Sequence, residues 1–468
     1  MKVQWDKDCK VANVDFLGMK VSEIIQKLDT APETTTTFNR TKITEWQIPW
    51  TGETDIQILF DSLKHTWKGA FQGKCNQEIS IYWEQCLQIS YKDLDKWQPN
   101  EEGRFRLFGS VPFDRFHRTP YTWGQLNLPP FFLPTIEWSF TSSQKMFLRV
   151  ALPVESDLYP KERMAENLRH ICQKIQPPEN CGRPLVAEHT LNEPDKDSWK
   201  KSIEDAKCLF QDNTMSKVVL SRVKHISLKY PTTSGRILKE LSLIKEPSYL
   251  FAIASPDETA FIGRSPERLL SWQGPQVEVD AIAGTRERHL EEKSDMAMAQ
   301  ELKSSTKDSS EHRCVTDFVE EQLEKICQEY TKESNCRPLK LRYVHHMISS
   351  YQGTLKPEHS PIKALFALHP TPAVSGLPQR SSIRFIGQNE PFDRGLFAGT
   401  IGWTSGHKGD FAIGIRSALV QENRLRVYAG AGIVGASDPE LEWSEVDAKM
   451  KPFMEMLKWS SHKRNAKS

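Results

Sequence analysis

The sequence predicts an α+β protein with largely antiparallel sheets. Two observations carry this: strand-type segments outnumber helical ones, and many neighbouring strands are joined by short turns. At 468 residues the chain is long enough for one large domain or two intimately packed ones. At that size roughly three quarters of the unfolded surface is buried without help from disulfides or metals.

Taken in order, 1–150 mixes short β-type segments such as Ile79-Ser80-Ile81-Tyr82-Trp83 with Pro-rich connections. Residues 117–137 are dense in Pro and aromatics, 158–175 reads as a helix, and 176–197 reads as a linker. Helices are expected over 198–211 and 234–245, and a strand over 217–228. Further β segments fall at 249–254, 259–263, 268–273 and 276–282. A long helical region spans 291–331, a hairpin covers 410–420 and 425–434, and a last helix starts at 439. This divides the chain into 1–197, 198–460 and a polar tail over 461–468.

Charge is balanced, with 62 basic and 61 acidic residues, so no global field points to nucleic acid or an anionic membrane. Nine cysteines without a CxxC pair form neither a disulfide framework nor a zinc site. No apolar run approaches the ~20 residues that span a bilayer, and the N-terminus lacks an apolar signal core. A soluble cytoplasmic protein with reduced thiols is expected.

Local patterns suggest chemistry. Asp438 suits an N-cap and Pro439 the first helical position. Behind them Glu442, Glu445 and Lys449 share one helical face, beside apolar Val446, Phe453 and Leu457. A surface helix with an ordinary Glu445–Lys449 pair would show the same spacing. In the long helical region Val315, Phe318, Val319, Leu323, Ile326 and Tyr330 form an apolar stripe that extends back to Glu311. A carboxylate on a buried face needs a cation or a proton. Together Glu311 and Glu445 suit a hard divalent cation such as magnesium, completed by waters and a substrate carboxylate.

In the hairpin, Phe411, Ile413 and Ile415 should face one way and Ala412, Gly414 and Arg416 the other. Small residues beside an arginine leave room for a planar anion. Ala429-Gly430-Ala431-Gly432 lets backbone approach a ligand closely. Lys217 opens an apolar strand, and Ser265-Pro266-Glu267 sits in a turn between two strands. A solvated strand lysine and a plain polar turn are the plainer readings of that pair.

These stretches fall in a recognisable order: Lys217-Val218-Val219-Leu220-Ser221-Arg222, Gly263-Arg264-Ser265-Pro266-Glu267, Ala281-Ile282-Ala283-Gly284-Thr285-Arg286 and Lys307-Asp308-Ser309-Ser310-Glu311-His312. Then come Leu368-His369-Pro370-Thr371-Pro372-Ala373-Val374-Ser375-Gly376, Ile415-Arg416, Tyr428-Ala429-Gly430-Ala431-Gly432 and Ser437-Asp438-Pro439-Glu440. The series resembles the chorismate-utilising family, which includes isochorismate synthases, salicylate synthases, and anthranilate and aminodeoxychorismate synthases. The likeness covers about 198–460, and more weakly Phe108-Gly109-Ser110-Val111-Pro112.

The resemblance implies a large α/β-sandwich of extensive antiparallel sheets with flanking helices and a central cleft. It implies magnesium on Glu311 and Glu445, with Glu442 close by. Arg416, the Gly430 backbone and Lys449 would hold the substrate's carboxylates. Gly284 and Thr285 would line the ring pocket, with His369 near it. Lysine at 217, where ammonia-using members carry glutamine, and alanine at 283 imply water as nucleophile. The implied reaction is isochorismate formation, with Lys217 as general base and Glu267 as general acid. Desolvation in a closed cleft favours the uncharged form of both. Salicylate synthase, which goes on to eliminate pyruvate, is the alternative. An ammonia-using synthase and an inactive binding relative are more remote. No glutaminase subunit is implied, and a monomer or homodimer is expected.

Overall fold

A computed structural model of the chain describes residues 183–333 and 336–459. Before them it describes 15–16, 19–20, 33–38, 41–50, 55–62, 64–74, 78–97, 105–114, 120–127, 131–140 and 146–154. Among the described residues the architecture is α+β, with helices flanking a hydrogen-bonded network of 22 strands. All its pairings are antiparallel except a short parallel contact between Val186–Ala187 and Lys458–Trp459.

Two branches can be traced. One runs from Lys217–Leu228 through Arg424–Ile433, Ser417–Gln421, Ala260–Ser265 and Tyr249–Ala254. It then crosses to Lys68–Gln72, Ile79–Ile89, Phe131–Phe140, Met146–Val154 and Thr41–Trp50. The other runs from Val344–Leu355 through Gln276–Glu287, Arg268–Gln273, Lys408–Ile413 and Thr400–Thr404 to Leu107–Val111. The branches meet where Phe108 pairs with Phe132. Strands from the first 150 residues therefore sit in the same ladders as strands from beyond 198.

Several expected elements need correction. The stretch 176–197 contains the strand Val186–Glu193, paired with Lys217–Leu228, instead of acting as a linker. Pro184 and Pro194 flank that strand, and its polar residues fit a strand in which only Ala187 is buried. The region 291–331 divides into helices Glu292–Ser304 and Thr306–Ile326 and the strand Cys327–Lys332, so Tyr330 is not helical. Ser305 makes the break: its backbone is extended and its side chain accepts from Asp308 N, starting a second helix. The expected strand 410–420 is two strands, Lys408–Ile413 and Ser417–Gln421. Residues 414–416 interrupt them, with Arg416 at φ 51°. The helix expected over 158–175 lies outside the described residues.

Two helices and a β-bulge position the site. The helix Pro439–Glu455 is capped by the Asp438 carboxylate, which accepts from Glu440 N and Leu441 N. It buries Val446, Met450 and Phe453, which orients Glu442, Glu445 and Lys449. The helix Thr306–Ile326 buries Glu311, Val315, Val319 and Leu323. The register between Gln276–Glu287 and Val344–Leu355 slips between Ala283 and Thr285, where Gly284 takes φ 79°. A glycine with positive φ re-aims the following side chain. Beneath the site, Phe397 and Trp123 stack on Tyr428, giving a rigid aromatic floor.

Candidate active site

A small cleft lies among these elements. Its walls include Glu267, Gly284, Thr285, Glu311, Arg416 and Gly430, with Lys449 at the edge. Seven residues singled out from the sequence, scattered over about 180 positions, thus border one space.

Lys217 opens its strand as expected and is fully buried, with Nζ 3.2 Å from Glu311 Oε1. That distance is an ionic contact only, since Nζ forms no hydrogen bond of good geometry. Gly432 makes the contact possible. A Cβ there would lie 2.0 Å from Glu311 Oε1 and 3.0 Å from Lys217 Cε.

Glu267 occupies the turn between Ala260–Ser265 and Arg268–Gln273, with its backbone fixed by Ser265 Oγ and Ile413 N. It is buried, and its Oε1 has no hydrogen-bond partner. Burial, and then the nearby Asp280 charge, push its carboxyl up to about 8, against the pull of Lys74, Lys217 and Lys449. At neutral pH this group carries a proton.

Arg416 is buried, and desolvation lowers its guanidinium to about 10, so it stays charged. Its Nη2 donates to His346 Nε2 at 2.6 Å. The other imidazole nitrogen, Nδ1, faces Gly284 O at 3.0 Å and Thr285 Oγ1 at 3.1 Å. Accepting from an arginine requires a bare Nε2, so Nδ1 carries the hydrogen. Burial first, and then Arg416 and Lys449, hold this ring neutral far below the usual histidine range. His346 lines the cavity and was not among the sequence candidates. Its signal would have been its place opposite the Gly284 bulge, which only strand pairing reveals. Arg394 was missed as well. It lines the cavity and donates to Val374 O and Val219 O, each at 2.8 Å. These bonds lock the Ala373–Val374 wall to the strand of Lys217.

On the last helix, Lys449 Nζ donates to Gly430 O at 2.8 Å and to Glu445 Oε1 at 2.7 Å. Burial works against the Glu445 charge, but Lys449, Lys307 and the Thr285 hydroxyl outweigh it and hold its carboxyl below the usual range. Glu442, one turn earlier, is fully buried and hydrogen-bonded by Lys307 Nζ. Burial and the Glu445 charge push its carboxyl up. His369 stands apart. It is buried, its Nε2 faces Pro112 O at 3.0 Å, and it is not part of the cavity wall.

Lys217 and Glu445 do not line the cavity themselves but contact residues that do, Glu311 and Lys449, and Glu442 lies one turn further back. A buried acid and a fixed arginine in the wall, with a buried lysine and further carboxylates directly behind it, define an enzyme site for a small anionic molecule. The family model described as "Chorismate binding enzyme" matches residues 25–458, and the chain belongs to that family. It stands among the isochorismate synthases. It is 35% identical over 370 residues to isochorismate synthase DhbC of Bacillus subtilis, covering 77% of this chain and 83% of that protein. With isochorismate synthase MenF of the same organism it shares 30% identity over 384 residues, 81% of each chain. The solved structure of MenF, the menaquinone-specific isochorismate synthase from Escherichia coli, superposes with a TM-score of 0.79 at 25% identity, covering 94% of this chain and 99% of that one. The expected family and fold are both borne out.

Proposed function

We propose that this protein converts chorismate to isochorismate with water as nucleophile and magnesium as cofactor. The observation that carries the reading is the pairing of a buried, protonated Glu267 with a buried Lys217 beside one cavity. Lys217 Nζ, having lost its own proton, takes one from water as the water oxygen bonds to ring carbon 2. The ring double bonds shift, the bond from carbon 4 to its hydroxyl breaks, and Glu267 delivers its proton to the departing oxygen. One water enters and one leaves. The proton gained by Lys217 and lost by Glu267 re-equilibrate through solvent. Arg416, oriented by His346, pairs with a substrate carboxylate in bidentate fashion.

Magnesium fits the donor set on the acidic wall. Among the described residues no group of three or more ligating side chains is already arranged around a point. Magnesium needs fewer than that, because it keeps waters and takes one or two protein carboxylates along with substrate oxygens. Glu311 and Glu445 supply hard oxygens from two helices that the Lys307–Glu442 hydrogen bond joins, and the charges of both act on Lys307. When bound, the ion would neutralise a substrate carboxylate and orient the ring.

The test is product analysis. Purified protein is incubated with chorismate and magnesium, with and without ammonium, and the products are separated with mass detection. Isochorismate alone supports the reading. Salicylate with pyruvate moves the enzyme to the lyase branch, and an aminated product overturns the role of Lys217. The Lys217→Gln variant should lose at least ~10²-fold in kcat while chorismate still binds. Near wild-type turnover in it would remove Lys217 as the base.

A further inference from the structure

The acidic wall is internally balanced in a particular way. Glu311 pairs with Lys217, Glu445 with Lys449 and Glu442 with Lys307. Two of these lysines have roles in the chemistry proposed above, one as base and one on the Gly430 carbonyl. Lys307 has none.

Its location is nevertheless specific. Lys307 lies four residues before Glu311 on the helix Thr306–Ile326, so the two share a face. Its Nζ crosses to the last helix and donates to Glu442 Oε1. The charges of Glu445 and Glu311 reach the same ammonium. The Lys307 side chain is only 22% exposed and that of Glu442 1%, so neither charge is dissipated in water.

We infer that Lys307 is a built-in counter-cation of the acidic wall, competing with the divalent metal for Glu311, Glu442 and Glu445 and so lowering this chain's affinity for it. This rests on the magnesium reading above. A fixed positive charge beside a cation site opposes metal entry by direct repulsion, and it withholds a carboxylate that would otherwise add to the ligand field. Without the metal the same charge offsets the mutual repulsion of the three carboxylates, two of them buried. Lys307 is a positioning residue. A purely structural role would predict that its loss loosens the wall and weakens metal binding, which is the opposite sign.

The experiment is calorimetric titration of the full-length protein with magnesium chloride alone, at low ionic strength. Wild type is compared with Lys307→Met, Lys307→Gln, Lys307→Arg and Glu311→Gln, with melting temperatures recorded with and without metal. Lys307→Met and Lys307→Gln should each bind magnesium at least tenfold more tightly, melt lower than wild type without metal, and recover with it. Lys307→Arg, which keeps the charge, should match wild type. Unchanged or weaker binding in the two neutral variants, with Glu311→Gln impaired, overturns the inference and leaves the metal site standing. A Glu311→Gln variant that binds like wild type overturns the magnesium reading and this inference with it.

Discussion

At the scale of single residues, Glu267 carries the most consequential chemistry. Its burial keeps a carboxylic acid protonated where an exposed one would be ionised. As general acid it acts below about 8, so kcat/KM should fall tenfold per pH unit above that value. Glu267→Gln should lose at least ~10²-fold in kcat and lose that alkaline limb, read from pH–rate profiles of both proteins. The same shift bears on stability. The folded pKa lies above the unfolded one, so the stabilisation is full below the ordinary carboxylate range and lost as pH rises through about 8. The melting temperature of wild type should therefore fall more between pH 6 and pH 9 than that of Glu267→Gln. Equal falls would show that Glu267 is ionised in the folded state. The identity of this acid was legible because Ser265-Pro266-Glu267 stood in a turn between strands. Its uncharged form was expected only from the closed cleft that the resemblance implied, because the burial that raises it, and the Asp280 charge that adds to it, arise from tertiary packing.

At the scale of elements, legibility follows local punctuation. The last helix could be read from Asp438 and Pro439, and the strands 217–228, 249–254 and 268–273 from apolar runs between turns. Arg416 was found, but its geometry was not. Alternation predicts a continuing strand, whereas the chain turns at 414–416 with Ser417 Oγ donating to Gly414 O. That turn, not a pleat, aims the guanidinium at His346. Close packing between elements leaves still less trace. The Glu311 side chain, from the helix Thr306–Ile326, reaches so close to Gly432 in the strand Arg424–Ile433 that a single methyl would strike it. Gly432→Ala should lower kcat/KM at least ~10²-fold by displacing Glu311 from Lys217, with a destabilisation of roughly 1–3 kcal/mol from overpacking. Adding Glu311→Asp shortens the acid by one methylene. The double variant should be less impaired than the product of the two single effects, a coupling read from a double-mutant cycle. Strict additivity would mean that the methyl acts elsewhere.

At the scale of the whole molecule, the two halves of the chain are woven together. A division near 197 was expected from the Pro and polar residues of 176–197, but pairings between strands about 180 to 300 residues apart have no local signature. Lys68–Gln72 is hydrogen-bonded to Tyr249–Ala254 along its whole length, and Leu107–Val111 lies against Thr400–Thr404. Every residue of Tyr249–Ala254 is buried. A fragment beginning at 198 would bare that strand's edge and its apolar faces, which is a template for association with other chains. Such a fragment should therefore aggregate or elute as a soluble oligomer, without a cooperative melt or a near-ultraviolet dichroism signal. Co-expression with 1–197 should restore a soluble complex that melts cooperatively. The measurement is size-exclusion chromatography with thermal unfolding on the fragment, the co-expressed pair and the intact chain. A monomeric fragment that melts in one transition would mean that the sheet closes without its first half. The cavity would then owe its shape to 198–460 alone. Recovery only in the pair would place the requirement for the N-terminal strands in the fold itself, because none of the cavity-lining residues named above precedes 217.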